Sequence, residues 1–380
     1  MFFNLIKFIF TCKKEWKKPK EAKIIIYDSA HSETLIKYFN KKDVAIYYNR
    51  FETNSIINMY VLIISIFFFP FGYNYKRIFF LLVKPKYIFT LNDNNISFYK
   101  LKLLFPNIKT ICIQASWKNS SQLDIFGSNH FISKEISKEK LECDFFFCYN
   151  KNVGRYLQKR IKCKYIVIGS FLSNDYIKKK LKKHLELTLI SQYRKISDNS
   201  FYSGQITYYD FRYNENIFFE RLNLLLKKKK KKIIILGSKS VSKNEERKFY
   251  KNIFKNNLLR FIPQNINRKT YKFLDESRLA ITLDSTLGYE NLLRNNKTLF
   301  FSIRQFKKPE LNYLRFGWPK RISNNKYSFL TYNPSIEEIE RLIFSSKISN
   351  DNYKKFNPND IGIYDGGNKI FKNFLSKIII

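Results

Sequence analysis

The chain has 380 residues, of which 44% are hydrophobic and 18% aromatic, so it can fill two domain cores and is not a disordered tail. Its formal net charge is +39, from 70 Lys and Arg against 31 Asp and Glu. Lysine is abundant along the whole chain and no recognised nucleic-acid motif accompanies it, so we do not expect specific nucleic-acid binding. Attraction to an anionic surface is expected.

The cysteines and histidines argue against a metal site. The five cysteines have no CxxC spacing and several lie inside apolar runs, which indicates a reducing compartment. His31, His130 and His184 stand far apart in the sequence, so we do not expect a histidine-rich metal site.

Two apolar stretches raise the question of a membrane contact. Residues 1–20 place an apolar segment before a basic one, but Asn4 and Lys7 interrupt it and no small-residue cleavage site follows, so a secretory signal is not predicted. Residues 56–73 approach the roughly 20 apolar residues of a spanning helix, with Asn58 and Pro70 as interruptions. We favour a buried core helix there, with a membrane segment as the alternative.

Short apolar runs alternate with helix-like pieces through both halves of the chain. The predicted strands lie at 23–28, 44–48, 87–91, 109–114, 144–150, 165–170, 185–193, 233–238, 258–263, 279–284 and 298–303. This pattern is typical of parallel sheets covered by helices on both faces, so an α/β fold is expected. The predicted organisation is an N-terminal segment (1–20), a Rossmann-like domain (21–170), a hinge (171–184), a second Rossmann-like domain (185–346), and a C-terminal tail and helix (347–380).

Polar residues follow the predicted strands, where ligands bind in open parallel sheets. The clearest example is DSTLGYE, residues 284–290. Its short side chains can cap the following helix while the first N–H groups of that helix favour a phosphate. Gly288 permits a close approach of backbone or ligand, and Glu290 can accept hydrogen bonds from ribose or sugar hydroxyls. An ordinary N-capped helix is the alternative.

Two other strand ends invite comparison with known motifs. IIILGSKS lacks both the Gly-x-x-x-x-Gly-Lys and the Gly-x-Gly-x-x-Gly patterns, so neither a P-loop NTPase nor an NAD-dependent dehydrogenase is supported. In LNDNN, Asp93, Asn94 and Asn95 cluster where a strand meets a helix. Asp93 is a candidate general base, and an Asx-type turn with a helix cap is the alternative.

Seven motifs keep a recognisable order along the chain. They are LNDNNISFYKLKLLFPNIKTICIQASW, DFFFCYN, YIVIGSF, ISQYR, ITLDSTLGYENLLRNNKTLFFS, RFGWP and YDGGN. Together they resemble the surface carbohydrate biosynthesis proteins of bacterial polysaccharide gene clusters. That group is similar to the GT-B glycosyltransferases and related in architecture to the CDP-glycerol glycerophosphotransferases and UDP-GlcNAc 2-epimerases. The resemblance implies two Rossmann-like domains that face each other across a cleft.

The resemblance also implies how the residues divide between two substrates. The C-terminal domain would hold a nucleotide-activated donor through Ser191, Gly237, Ser238, Asp284, Ser285, Thr286, Gly288, Glu290 and Arg304. The N-terminal domain would present the acceptor, with Asp93 and Asn94 as catalytic residues and Asn95 and Gln114 on the acceptor side. No cofactor and no metal are implied, because helix N-termini and basic side chains neutralise the leaving diphosphate in such enzymes.

One segment departs from the family pattern. After CIQ the family tends to continue with Asn-Gly and a basic residue, whereas Ala115, Ser116 and Trp117 follow here. This departure bears on the acceptor role carried over to Gln114, and it leaves a loss of activity as an alternative.

Several functions remain open from the sequence. The first is a metal-independent glycosyltransferase-like enzyme that moves a sugar from a nucleotide sugar to a glycan or lipid-linked acceptor. It would be cytoplasmic, and its basic charge and the N-terminal apolar segment (1–20) would hold it peripherally at an anionic membrane. A CDP-glycerol-type glycerophosphotransferase is the close alternative, and a non-catalytic membrane-associated scaffold of polysaccharide assembly is the alternative from another class. A non-hydrolysing epimerase is disfavoured because no set of paired acids and His suits it.

Overall fold

Two parallel sheets organise the chain. The computed structural model describes residues 12–29, 31–49, 55–68, 74–117, 141–179, 181–193, 201–203, 206–238, 243–254, 259–263, 269–303, 330–332, 334–344 and 356–379. Within these residues, six strands from the first half and six from the second form separate sheets, and every strand pair inside each of the two sheets is parallel.

The described part of the first half contributes eight strands. They are β1 (Lys13–Glu15), β2 (Ile24–Tyr27), β3 (Val44–Tyr47), β4 (Ile56–Asn58), β5 (Tyr87–Thr90), β6 (Lys109–Ile113), β7 (Glu142–Cys148) and β8 (Lys162–Val167). The N-terminal sheet has the order β3-β2-β5-β6-β7-β8, while β1 and β4 form a separate parallel pair. The runs predicted at 23–28 through 165–170 are therefore strands of one sheet.

Among the described residues of the second half there are eight more strands. They are β9 (Leu185–Ile190), β10 (Phe201–Ser203), β11 (Ile206–Thr207), β12 (Ile233–Leu236), β13 (Leu259–Ile262), β14 (Ser277–Thr282), β15 (Thr298–Ser302) and β16 (Leu330–Tyr332). The C-terminal sheet has the order β13-β12-β9-β14-β15-β16, and β10 pairs with β11 antiparallel. The predicted hinge at 171–184 falls between the last strand of one sheet and the first of the other.

Helices cover these sheets. They are α1 (Ser32–Ile36), α2 (Met59–Phe68), α3 (Tyr75–Val83), α4 (Ile96–Tyr99), α5 (Leu101–Leu104), α6 (Lys151–Gln158), α7 (Phe171–Asp175), α8 (Tyr208–Lys228), α9 (Lys243–Ile253), α10 (Lys269–Glu276), α11 (Thr286–Leu293), α12 (Ile336–Phe344), α13 (Pro358–Ile361) and α14 (Lys369–Ile378). Strands such as β2 and β12 are buried at every position because apolar cores lie on both faces of each sheet.

The C-terminal helix returns to the N-terminal sheet. Phe371 of α14 packs edge-on against Phe147 of β7 and Phe171 of α7, with ring centroids 5.2 and 5.0 Å apart. Phe374 packs against Phe145 and Phe147 in the same way. The chain thus crosses from the second sheet back to the first, so α14, the helix of the predicted C-terminal tail and helix, is part of the first domain's core.

The prediction of a buried core helix at 56–73 holds for one side of the described helix and not for the other. Residues 56–58 form β4 and residues 59–68 form α2, while 69–73 lie outside the described residues. Val61 and Ser65 are buried, but Ile66 and Phe67 are 66% and 73% exposed. The helix contacts α3, β1 and β4, and because it has apolar residues on its remaining side as well, that exposed side is also apolar. No described helix combines the length and hydropathy needed to cross a membrane.

A buried ion pair holds the end of α11 against the hinge. The side chains of Arg294 and Asp275 are fully buried and pair through two contacts, Nη2 to Oδ2 at 2.5 Å and Nε to Oδ1 at 3.1 Å. The Arg294 Nη1 also donates to the carbonyl oxygens of Ser173 (3.1 Å) and Tyr176 (2.7 Å) in the hinge. The Arg294 guanidinium lies 5.1 to 5.4 Å from the ring centroids of Tyr176, Tyr271 and Tyr364. One cation therefore joins the second domain to the connection between the domains.

Replacing Arg294 with Met is expected to lower the free energy of unfolding by about 3–5 kcal/mol, because the Asp275 carboxylate would remain buried without a cation. The double variant Arg294→Met/Asp275→Leu should lose less than the single variant, since no buried charge is left. Urea unfolding of both variants and the wild type measures the difference. A single variant that unfolds at the wild-type urea concentration would contradict the role given to the pair.

Candidate functional site

The carboxyl end of the N-terminal sheet meets the start of α11. Because the strands are parallel, the residues that follow them collect at one edge of the sheet. Trp117 follows β6, Tyr149 follows β7 and Ser170 follows β8, and all three contact residues of α11. The strand ends of one domain therefore face a helix of the other.

The turn before α11 is built as the sequence predicts. Ser285 is the N-cap in an extended conformation, and its Oγ accepts a hydrogen bond from the backbone N–H of Leu287 at 3.3 Å. The Asp284 backbone N–H donates to Gln192 Oε1 (2.7 Å), and Asp284 Oδ1 accepts from the Tyr289 hydroxyl (2.9 Å). Asp284, Ser285 and Thr286 are half-buried, whereas the helix from Gly288 to Leu293 is buried. The start of α11 is thus the part of the helix that keeps contact with solvent.

Gly288 allows the helix to approach the sheet. A Cβ atom at this position would lie 2.5 Å from Thr282 Cγ2 of β14 and 3.3 Å from a ring carbon of Phe300 of β15. The sequence predicts a close approach of backbone or ligand at this glycine, and the groups that approach it are side chains of β14 and β15.

Glu290 lies at the centre of the domain junction. Its side chain is buried, and its Oε1 accepts hydrogen bonds from the Tyr149 hydroxyl (3.1 Å) and the Ser170 Oγ (2.5 Å) of the first domain. Its Oε2 accepts from the Tyr271 hydroxyl (2.8 Å) of the second domain. Burial, with the Glu290 charge beside it, raises the pKa of Tyr149 well above its ordinary value, so that hydroxyl stays protonated and donates. The role of Glu290 toward ribose stays a prediction.

Trp117 fills the junction where the sequence departs from the family pattern. Its ring stacks on Tyr289 of α11, with centroids 4.1 Å apart and planes at 14°, and it packs edge-on against Tyr149. Its carbonyl oxygen accepts from Thr286 Oγ1 at 3.4 Å. The buried indole N–H has no hydrogen-bond partner within the described part of the chain. An aromatic side chain thus covers the first turns of α11 from the opposite domain.

Ser191 and Ser238 are joined by a residue that the sequence analysis missed. The Glu246 Oε1 of α9 accepts hydrogen bonds from the Ser191 Oγ (2.5 Å) and the Ser238 backbone N–H (2.7 Å). Ser191 Oγ also lies 2.9 Å from the Tyr250 hydroxyl, and the backbone N–H of Gly237 extends the strand ladder to the Ile262 carbonyl. The only signal in the sequence was an acidic pair, Glu245 and Glu246, in the first turn of a helix, which does not identify the partner.

Burial raises the pKa of the Glu246 carboxyl above its ordinary 4.5, although hydrogen bonds from Ser191 and Ser238 lower it. Because the folded state then binds the proton more tightly than the unfolded chain, the stability from this group is full below pH 4.5 and is lost as pH rises through the folded pKa. Glu246→Gln keeps an acceptor oxygen and does not titrate. We therefore expect the unfolding free energy of Glu246→Gln to increase relative to that of the wild type as pH rises from 4.5. Urea melts at several pH values test this; a difference that does not change with pH would contradict it.

Asp93, Asn94 and Asn95 form the turn between β5 and α4. Asp93 is buried and its carbonyl oxygen accepts from the Tyr99 hydroxyl at 2.8 Å, whereas Asn94 is exposed. Asn95 caps α4, because its Oδ1 accepts from the backbone N–H (3.1 Å) and the Oγ (2.7 Å) of Ser97. The helix cap proposed as an alternative is therefore present at Asn95. The catalytic role of Asp93 and Asn94 stays a prediction.

Gln114 connects the ends of β6 and β7. Its side chain is buried; Oε1 accepts from the Tyr149 backbone N–H (3.0 Å) and Nε2 donates to the Ser116 carbonyl (3.0 Å). Its backbone N–H donates to the Phe147 carbonyl at 2.9 Å. Gln114 thus supports the loop that carries Trp117, and its acceptor-side role stays a prediction.

The predicted site residues divide into three groups. Asp284 to Glu290 and Gln114 meet at the domain junction, while Asp93 to Asn95 lie at the same edge of the N-terminal sheet, one strand further along. Ser191, Gly237 and Ser238 lie at the ends of β9 and β12 around Glu246. Arg304 lies outside the described residues.

Comparison with protein families identifies the kind of protein. A family model described as "putative O-antigen biosynthesis protein" matches residues 111–379, well over half of the chain. The chain belongs to this family. The resemblance to surface carbohydrate biosynthesis proteins is therefore confirmed. No curated protein matches this chain.

Solved structures share the fold of this O-antigen family protein. S. aureus MnaA, solved with UDP, is 13% identical with a TM-score of 0.55, over 94% of this chain and 98% of MnaA. The UDP-GlcNAc 2-epimerase from Neisseria meningitidis, bound to UDP-GlcNAc, is 12% identical with a TM-score of 0.52, over 93% and 99% of the two chains. The wall teichoic acid polymerase TagF is 10% identical with a TM-score of 0.52, over 95% and 90%. These likenesses confirm the predicted α/β fold of two Rossmann-like domains in a GT-B arrangement.

Proposed function

We propose that this protein transfers a sugar from a nucleotide-activated donor to a surface glycan, as a GT-B-type glycosyltransferase. The observation that supports this most directly is the start of α11. It follows the central strand β14, it is half-buried, and it lies opposite the strand ends of the other domain. A family placement in O-antigen biosynthesis agrees with a glycan product.

The donor diphosphate would bind at the N-terminus of α11. The helix dipole favours an anion there. The N–H of Leu287 donates to the Ser285 Oγ and that of Gly288 donates to the Ser285 carbonyl, so the N–H of Thr286 is the one that would donate to the phosphate. Binding of this kind needs no metal, and metal independence is part of the proposal. The other proposed donor residues are Ser191, Gly237, Ser238, Gly288, Glu290 and Arg304.

The reaction would exchange one bond at the sugar. The bond from the anomeric carbon to the diphosphate oxygen breaks, and the acceptor hydroxyl oxygen bonds to the same carbon. The proton of that hydroxyl would pass to the Asp93 carboxylate, and the negative charge of the leaving diphosphate would be stabilised by the start of α11. Asn94, Asn95 and Gln114 would position the acceptor.

Two alternatives to a glycosyltransferase each have an observation in their favour. A CDP-glycerol-type glycerophosphotransferase differs in the donor and shares the fold with TagF, which was also solved with CDPG. A non-catalytic scaffold is supported by the side chains that already fill the domain junction. Trp117 stacks on Tyr289, and Glu290 already accepts three hydrogen bonds from hydroxyl groups. In each case we propose a cytoplasmic protein held peripherally at the membrane.

Thr286→Glu separates a donor site from a scaffold. A carboxylate in the first turn stabilises a helix but repels a diphosphate at the same place. Thermal unfolding is measured with UDP, CDP, UDP-GlcNAc and CDP-glycerol. A ligand at 100 times its Kd should stabilise the wild type by about 2.7 kcal/mol and should not stabilise Thr286→Glu.

The matched control is Asn373→Glu, which adds the same charge to an exposed position of α14, the helix that packs on the N-terminal sheet. It should respond to ligands as the wild type does. If no nucleotide stabilises the wild type, or if both variants respond equally, the donor site at α11 is excluded and the scaffold is favoured.

Asp93→Asn tests the proposed general base. The amide is isosteric but does not accept the proton, so turnover with the donor identified above should fall by about 100-fold to 10,000-fold. Thermal stabilisation by the donor should be unchanged, because Asp93 lies in the other domain. Wild-type turnover in this variant would remove Asp93 from the mechanism.

A further inference from the structure

Helix α2 presents an apolar face to solvent. Its ten residues, MYVLIISIFF, contain no charged side chain. The exposed fractions are 37% for Tyr60, 44% for Ile63, 66% for Ile66, 73% for Phe67 and 48% for Phe68. Tyr60, Ile63 and Phe67 are spaced by three and four residues, so they form one stripe along the helix. A surface helix with this composition marks a contact with an apolar partner.

Other helices that share the core of α2 also carry exposed apolar side chains. Val61 of α2, Phe79 and Phe80 of α3 and Leu101 of α5 belong to one core cluster on one face of the N-terminal sheet. The same helix layer carries Leu81, Leu103 and Leu104, which are 49%, 61% and 46% exposed. We call the exposed apolar residues of α2, α3 and α5 the outer face.

Cations outnumber acids around the outer face. Residues 59–104 contain six Lys and Arg, at positions 76, 77, 84, 86, 100 and 102, and one acid, the buried Asp93. From outside this range, Glu21 pairs with Lys84, Asp144 pairs with Lys102, and Glu15 lies beside Asn58. Lys17 and Lys18 are exposed, and the Lys17 carbonyl accepts from Asn58 Nδ2 at 2.9 Å. Asn58 Oδ1 in turn accepts from the Val61 backbone N–H at 3.0 Å, which places this lysine pair at the start of α2. Trp16, beside the pair, is 63% exposed.

We infer that the outer face docks on an anionic lipid bilayer, with α2 lying in the interface between headgroups and acyl chains. Aromatic and branched side chains on one side of a helix, bordered by Lys and Arg, are the composition that such interfacial helices require. The ten residues of α2 are too few to span the hydrocarbon core. A second copy of the chain is a poorer occupant, because each copy carries a net charge of +39 and would repel the other.

This contact differs from attachment through residues 1–20, and it does not depend on the proposed reaction. It fixes how the protein would lie on a membrane, with the first domain toward the lipid and the second domain away from it. If the proposed transfer is also correct, a lipid-linked acceptor would arrive on the acceptor-binding domain.

Vesicle sedimentation tests the inference with the full chain. The vesicles contain phosphatidylcholine with or without phosphatidylglycerol at about 30%, enough to give an anionic surface. Ile66→Ser/Phe67→Ser removes the two most exposed side chains of α2, and its matched control is Tyr213→Ser/Leu224→Ser, at 60% and 58% exposed positions of α8. We expect the wild type and the control to bind the anionic vesicles. The α2 variant should bind at least about tenfold more weakly.

Two double variants with reversed charge test whether lysines contribute to binding at the anionic surface. Lys17→Glu/Lys18→Glu should weaken binding to anionic vesicles by about tenfold or more. Lys248→Glu/Lys251→Glu makes the same change at exposed positions of α9 in the other domain and should bind as the wild type does.

Phe67→Trp keeps the assay informative if the serine variant does not fold. Brominated phosphatidylcholine in the anionic vesicles should quench the fluorescence of the added tryptophan, since position 67 would lie within the acyl region. Three results would overturn the inference: no binding of the wild type to anionic vesicles, equal binding by the α2 variant, or no quenching of the tryptophan added by Phe67→Trp. A wild-type dimer in sedimentation velocity that the α2 variant dissociates would assign the outer face to a second copy.

Discussion

The carboxylate of Glu290 is buried between two domains, and a buried charge is tolerated only when hydrogen bonds replace its water. Its donors come from both sides of the junction: Tyr149 and Ser170 follow strands of the first sheet, and Tyr271 lies on a helix of the second. All three hydroxyls reach one carboxylate only in a narrow range of domain orientations. This requirement sets the direction in which α11 points, and hence where its first turn lies.

The remaining contacts at the domain junction also fix how the two domains are oriented. At the far end of α11, Arg294 pairs with Asp275 and donates to the hinge, so the helix is held at both ends. The chain then returns to the first domain through α13 and α14, where Asn150 Nδ2 donates to the Asp360 carbonyl at 2.9 Å and Phe371 enters the core. Polar contacts fix the orientation of the domains, and aromatic packing holds the returning segment in place.

The sheet strands and the helix cap were predictable because they depend on local patterns. Continuous apolar runs predict most strands of the two sheets to within a few residues, and Ser285 followed by Thr286 predicts the start of α11. The partners of the site residues were not predictable, because they come from distant positions: Glu246 reaches Ser191 across 55 residues, and Ser170 reaches Glu290 across 120. The apolar run at 56–73 was misjudged because hydrophobicity alone does not distinguish a core helix from one with an exposed apolar side. Trp117 was noticed as a departure, but its stacking on Tyr289 required the fold.

We propose that the first turn of α11, covered by Trp117 from the other domain, is where this O-antigen family protein binds a nucleotide-activated donor. Hydrogen–deuterium exchange of the full chain, with and without the nucleotide or nucleotide sugar that stabilises it most, measures this directly. We expect slower amide exchange in peptides that cover residues 284–290 and 114–117 when the ligand is bound. Protection confined to other parts of the chain, with these two segments unchanged, would contradict it.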